Sequence, residues 1–252
     1  VLGLSVADEI EHLVASLSLM ACGVRQITLP TYETLTARQE LVARAGVTQL
    51  LSDHDDAASV SLRLVRWPGL AGMSLDTPSV NDDADFIDPA IIYLNTSGTT
   101  GGTNLIPFTE HQIALQAQRH QDYADACFLR LAPVEYNTSK RHRLYSLWNG
   151  GTNVFRPQGS LARVAEFARS CGVSCLDISK MHVSELIALN DKATLAQVKV
   201  RPGGAEILAH ERRLFREKLA APLYVRYATT EKGAIAMTNP LEGDKDETCV
   251  FQ

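Results

Sequence analysis

The chain has 252 residues, 45% hydrophobic and 21% charged, which is the composition of an ordinary globular protein with room for one large domain or two lobes. A net charge of −5 argues against a nucleic-acid-binding surface. No apolar run approaches the roughly 18 residues of a membrane span. The start carries Asp8, Glu9 and Glu11 rather than the basic residues of a signal peptide, so a cytoplasmic protein is expected. Val1 rather than Met opens the chain, as in a piece of something longer. The five cysteines, Cys22, Cys127, Cys171, Cys175 and Cys249, are scattered. Cys171-Gly-Val-Ser-Cys175 lacks a second pair at zinc spacing, so they read as small buried thiols in a reducing compartment.

In chain order, Ser5 is a cap for a helix whose apolar stripe is Ile10, Leu13, Val14, Leu17 and Met20, ended by Gly23. Gln26–Pro30 reads as a strand, Leu35–Ala45 as a helix capped by Thr36 and closed by Gly46, and Val47–Ser52 as a second strand. This alternation predicts parallel βαβ packing. Asn81-Asp82-Asp83-Ala84-Asp85 is the linker candidate, dividing a first α/β lobe at 1–84 from a second at 85–252. Ala90–Leu94 is a short buried strand, and Thr109-Glu110-His111-Gln112 is a capping box opening a helix to about Ala124. Phe128–Ala132 resembles a strand. Glu135–Arg143 is strongly polar; its Lys/Arg cluster reads as a solvated surface turn, with phosphate binding as the alternative. The alternation resumes with a strand at Thr152–Phe155, a helix bearing Leu161, Val164 and Phe167, and a strand at Val173–Ile178. Ser179 caps the next helix; Ala196–Val200 leads to Arg201-Pro202-Gly203-Gly204-Ala205; a helix carries Ile207, Leu208, Phe215 and Leu219. Leu223–Tyr227 is the last strand, running into Ala228-Thr229-Thr230-Glu231. The fold class is α/β, with layered βαβ lobes and mainly parallel sheets.

Three polar clusters follow predicted strands, where open α/β sheets bind ligands. In Thr96-Ser97-Gly98-Thr99-Thr100-Gly101-Gly102-Thr103 the glycines let backbone N–H groups converge, and the hydroxyls add donors, which suits polyphosphate. No Gly-Lys-Ser/Thr closes the stretch, so it is not a Walker loop, and a flexible polar loop is the other reading. Gly203-Gly204-Ala205 allows backbone to approach a flat ligand. Tyr227–Glu231 puts an aromatic ring, hydroxyls and a carboxylate where a base could stack and Mg²⁺ be held. No G-x-G-x-x-G opens the first strand–helix turn, which disfavours a Rossmann dehydrogenase.

Thr96–Gly101 resembles the TSGTTG core of the acyl-adenylate-forming superfamily: acyl-CoA synthetases, adenylation domains of nonribosomal peptide synthetases, and firefly luciferase. Gly203-Gly204-Ala205 is similar to its GGA segment, and Tyr227-Ala228-Thr229-Thr230-Glu231 to its YGxTE motif. The resemblance spans essentially the whole chain and implies the large N-terminal domain of such an enzyme. It implies ATP-dependent activation of a carboxylic acid to acyl-AMP, with the acyl group passing to coenzyme A or a carrier-protein pantetheine. By this resemblance Thr96, Ser97, Gly98, Thr99, Thr100 and Gly101 embrace the β- and γ-phosphates. Thr230 bonds the α-phosphate, and Glu231 ligates Mg²⁺. Tyr227 stacks on adenine beside Gly203, Gly204 and Ala205, with Ala228 and Thr229 in the same pocket.

Four departures bear on activity. Asn104 stands where the family loop has lysine, and Ala228 where the motif has glycine. The chain stops before the family's Thr-Gly-Asp segment and its C-terminal lysine-bearing domain, and an early segment is missing. A truncated large domain with poor turnover is the expectation. Tyr136-Asn137 aligns with the pair that holds the substrate ammonium in amino-acid-activating members; a neutral Asn137 favours an acyl or aryl acid. The alternatives are an amino-acid adenylation domain serving an acyl carrier protein, and a non-catalytic homologue that binds nucleotide or acyl ligand.

Overall fold

Short aliphatic runs between glycine-containing and polar turns form the strands, and the longer amphipathic stretches between them form the helices. A computed structural model describes residues 1–56, 61–72, 90–97, 103–156, 160–192, 195–229, 233–238 and 249–251. These form two compact units, Val1–Ile113 with Val134–Lys140, and Ala114–Pro133 with Arg141–Gln252.

The first unit carries β1 (Leu2–Ser5), α1 (Glu9–Ala21), β2 (Gln26–Thr28), α2 (Leu35–Ala45), β3 (Gln49–Ser52), β4 (Arg63–Arg66), β5 (Ile91–Ser97) and β6 (Thr103–Thr109). Its sheet runs β4-β3-β1-β2-β5-β6, parallel except for β6, which is antiparallel to β5. Alternation along the strands separates two cores: Ile27, Leu29, Leu41, Val47 and Leu50 form one, and Leu4, Val6, Ala15 and Leu51 the other. Gly3 is squeezed into the first: a Cβ there would lie 3.0 Å from Leu29 Cδ1 and 3.2 Å from Leu50 Cδ1.

Several expectations are corrected here. Ser5 ends β1 instead of capping α1; the cap is Asp8, whose carboxylate accepts the Ile10 and Glu11 N–H groups at 2.9 and 3.0 Å. Helix α2 is capped by Thr34 rather than Thr36, and Gly46 closes it in the left-handed region, φ 62°. The chain does not divide after residue 84, because β5 and β6 complete the first unit's sheet; the linker candidate at 81–85 lies outside the described residues. Strand β6 interrupts the expected strand–loop–helix order. It carries Pro107, but β6 pairs on one side only, where a missing N–H is tolerated.

Helix α3 (Glu110–Gln118) opens with the expected Thr109/Gln112 capping box but stops short of Ala124, and a 3-10 turn follows at Gln121–Tyr123. Next come β7 (Cys127–Arg130), α4 (Asn137–Trp148), β8 (Thr152–Val154), α5 (Leu161–Ser170), β9 (Cys175–Ser179), α6 (Lys180–Leu189), β10 (Lys199–Gly203) and α7 (Ala209–Leu219). The second unit's four-stranded sheet, β10-β9-β7-β8, is wholly parallel. A three-stranded antiparallel sheet follows, β11 (Arg226–Thr229), β12 (Gly233–Thr238) and β13 (Cys249–Phe251). Leu129, Leu176, Ile178 and Val200 from the parallel sheet share one core with Val164, Ala168, Val183, Leu186, Phe215 and Leu219 from α5, α6 and α7.

The polar stretch 135–143 is not a solvated turn. It enters α4, and Ser139, Lys140, Arg141 and Arg143 are buried. Burial of two of these cations is offset by acceptors: Lys140 Nζ donates to Thr28 Oγ1, and Arg143 donates to the Val154 and Arg130 carbonyls at 3.1 and 3.3 Å. The thiols also differ from expectation, since only Cys175 among the described ones is buried, while Cys22 and Cys171 are exposed. Among the described residues no helix is long and apolar enough to cross a membrane.

Candidate functional site

Two chain segments leave the second unit's sheets side by side. Val200 forms a parallel bridge with Leu223: its N–H donates to the Pro222 carbonyl at 3.0 Å, and its carbonyl accepts the Tyr224 N–H at 2.8 Å. A parallel bridge sends both segments the same way. One exits through Gly203-Gly204-Ala205, the other through Tyr227-Ala228-Thr229. Gly204 has φ 87°, open to glycine and strained for other residues, and a Cβ there would meet nothing within 4 Å. Tyr227 is 65% exposed, so its ring face is open to a ligand. The β11–β12 register shifts between Tyr227 and Ala228, an irregularity of the kind that re-aims a side chain.

The roots of both exits are held by charges buried in the opposite sheet face from the apolar core. Arg130, Asp177 and Arg201 are lateral neighbours across β7, β9 and β10. Asp177 Oδ1 accepts Arg201 Nε at 2.7 Å; its Oδ2 accepts Arg130 Nη1 at 2.7 Å and Arg226 Nη2 at 2.8 Å. Burial pushes this carboxyl up, but Arg201, Arg226 and Arg130 more than offset it and hold Asp177 well below the usual carboxylate range. Arg201 also pairs with Asp122 and lies over the Tyr123 ring, 4.2 Å from its centre.

His142 Nδ1 faces Tyr123 OH at 2.6 Å and Arg226 Nη1 at 3.2 Å. Arginine only donates, so Nδ1 accepts and the neutral ring carries its proton on Nε2. Burial, followed by Arg226 and Arg130, lowers the His142 pKa well below its ordinary value. These residues were not singled out in the sequence. The available signal was a single charge inside an otherwise apolar strand, as in Cys175-Leu176-Asp177-Ile178, since a buried charge requires partners.

The remaining expected site residues fall elsewhere. Thr96 and Ser97 are backbone members of β5 in the first unit, and Thr96 pairs in register with Asn104 on β6, which is exposed. Gly98, Thr99, Thr100 and Gly101 lie outside the described residues, as do Thr230 and Glu231. Asn137, the position aligned with an ammonium-binding residue, donates its amide to the Asn95 carbonyl and side-chain oxygens at 2.5 and 2.6 Å. Beside it, Tyr136 stacks on Tyr32 with ring centres 4.4 Å apart. Gly204 and Tyr227 fit a flat heterocycle. Among the described residues no group of three His, Cys, Asp or Glu side chains could hold a metal ion.

No family model and no curated protein matches the sequence. Solved structures do. O-succinylbenzoate coenzyme A synthetase (MenE) from Bacillus subtilis, in complex with AMP, matches at TM-score 0.81 and 17% identity, over 97% of this chain and 65% of that one. Another structure of that synthetase holds ATP and a magnesium ion. The Klebsiella oxytoca NpsA N-terminal subdomain, in complex with 3-hydroxybenzoyl-AMSN, matches at TM-score 0.78 and 19% identity, over 99% of this chain and 65% of that one. A malonyl-CoA ligase with methylmalonyl-CoA and AMP bound matches at TM-score 0.81 and 17% identity, over 95% and 54%. The chain therefore spans no more than about two thirds of these proteins' length. It has the fold of the large N-terminal domain of AMP-binding, adenylate-forming enzymes.

Proposed function

We propose that this chain binds ATP and a carboxylic acid and joins them as an acyl-AMP, releasing pyrophosphate, in the manner of acyl- or aryl-CoA ligases. The observation that carries the reading is the pair of strand exits, with an open Tyr227 ring and a left-handed Gly204, on this fold. Tyr227 stacks on adenine, and the backbone at Gly203–Ala205 lines its edge. The Ser/Thr/Gly stretch Thr96 to Gly101 wraps the β- and γ-phosphates with N–H and hydroxyl donors. Thr230 bonds the α-phosphate. Glu231 would hold Mg²⁺, which when bound neutralises phosphate charge. Little proton chemistry is then asked of the protein: it places the carboxylate in line with the α-phosphorus and stabilises developing negative charge. The acceptor is a thiol, coenzyme A or a carrier-protein pantetheine, and the setting is cytoplasmic.

The spent amide of Asn137 supports an acid without an ammonium group over an amino acid. The neutral, exposed Asn104 favours a second reading, a non-catalytic nucleotide-binding homologue. One experiment separates them: MgATP and AMP titrated calorimetrically, followed by carboxylate-dependent ATP–pyrophosphate exchange with a panel of acids. Binding with exchange supports the ligase; binding without exchange for any acid supports the homologue; no nucleotide binding rejects both.

A further inference from the structure

We propose that Asp177 is a positioning residue for the nucleotide, setting the gap between the two strand exits through Arg201 and Arg226. This deepens the functional reading given above and rests on it. Arg201 lies two residues before Gly203, and Arg226 immediately precedes Tyr227. Their guanidinium groups meet on different oxygens of one carboxylate, at 2.7 and 2.8 Å. That carboxylate belongs to neither exit. It sits on β9 and is only 1% exposed, so its place is fixed by the sheet. The Val200–Leu223 bridge joins the two segments by backbone before their exits, and Asp177 adds the side-chain link between Arg201 and Arg226, next to the exits themselves.

The same sheet supplies an internal comparison. Its other face packs Leu129, Leu176, Ile178 and Val200 without charge, so this sequence is able to cover the sheet with apolar contacts alone. Buried ion pairs often stabilise no better than such packing. What they add is direction, because a carboxylate fixes each guanidinium by oriented hydrogen bonds and dispersion contacts do not. The Arg201 arm is itself braced, by Asp122 on one nitrogen and the Tyr123 ring beneath it. The Arg226 arm is braced by the neutral His142.

The test uses hydrogen exchange and nucleotide titration on the same variants. Asp177→Asn raises exchange at 203–208 and 226–229 together, by about tenfold, and leaves α5 and α6 (residues 161–170 and 180–189) unchanged. Arg226→Gln raises exchange at 226–229 only, and Arg201→Gln at 203–208 only; these single-arm variants decide the matter if Asp177→Asn does not fold. Asp177→Asn also weakens AMP and ATP by the same factor and leaves inorganic pyrophosphate binding unaltered. Unchanged exchange at both exits, or an equal rise across 161–170 and 180–189, overturns the proposal, as does a loss confined to ATP. If the unaltered protein binds no nucleotide, the functional reading fails, while the exchange pattern still decides whether Asp177 ties the exits.

Discussion

Asn137 gives its amide to Asn95 twice, to the backbone carbonyl and to the side-chain oxygen, and so spends both donors on the end of β5. Both partners are acceptors there. Asn137→Asp therefore turns an attraction into a clash of oxygens and does not create an ammonium pocket. The expected loss is about 1–3 kcal/mol of stability, read as a lower denaturant midpoint, with no amino-acid-dependent pyrophosphate exchange gained. An unchanged midpoint would show that the amide contact contributes nothing.

Lys140 provides a pH signature. Burial lowers its pKa from the ordinary 10.5 to about 7, against the opposing pull of Glu135, whose carboxylate accepts the Thr31 N–H and hydroxyl at 3.0 and 2.9 Å. Between pH 7 and 10.5 the unfolded chain holds a proton that the folded chain has released. Stability from this group accordingly rises with pH across that window, by at most about 1.4 kcal/mol per unit. Cys175 works oppositely at the top of the range, because burial pushes its thiol up to about 12. Urea melts of the native chain and Lys140→Met between pH 7 and 9 isolate the lysine: the variant loses the upward slope. Parallel pH profiles would rule the lysine out.

Nucleotide selectivity separates the two ends of the proposed site. Tyr227→Ala weakens AMP and ATP alike, by about 1–2 kcal/mol for a lost stacking partner, and leaves the melting temperature within error because the ring is exposed. Asn104→Lys tightens ATP more than AMP, since the added charge faces only the outer phosphates. Equal effects of Asn104→Lys on both nucleotides would place that side chain off the phosphate path.

Gly151 is a packing requirement that its neighbours impose. A Cβ there would lie 2.6 Å from the Tyr123 carbonyl and 2.7 Å from Ser146 Oγ. Gly151→Ala is expected to cost about 1–3 kcal/mol by forcing backbone apart. Gly46→Ala is the contrast, left-handed at φ 62° but with nothing within 4 Å of the new carbon. It costs only the conformational penalty of about 1–2 kcal/mol. Thermal melts give both losses, and near-ultraviolet circular dichroism should show a changed tyrosine environment for Gly151→Ala alone.

Where local pattern decides structure, the sequence was readable. Helix α2 runs over Leu35–Ala45 as its periodicity and Gly46 imply, and the parallel βαβ alternation follows from short aliphatic runs between helices. The exits at Gly203 and Tyr227 were marked by composition. The charged hub was not, because its members are far apart in the chain: Asp177 lies 47 residues from Arg130 and 49 from Arg226. A lone arginine in sequence looks like surface until its partner is known. The same blindness turned 135–143 into an expected solvated turn, when Lys140 and Arg143 are neutralised or satisfied by groups on distant strands. Strand β6 went unmarked for a simpler reason, since Thr103–Thr109 shows little alternation; its Pro107 is compatible with an outer strand, though not with a central one.

That outer strand has a consequence for how the molecules behave together. Among the described residues β6 and β4 are the two rims of the six-stranded sheet, and a rim with free N–H and C=O groups invites another chain to add itself. Pro107 is exposed on one rim and removes a donor from the middle of it. On the other, Arg63 stands exposed, a charge of the kind that blunts a sheet edge, and Arg66 pairs with Asp55. Both described borders of the sheet are thus poor templates for the addition of a strand from a second chain.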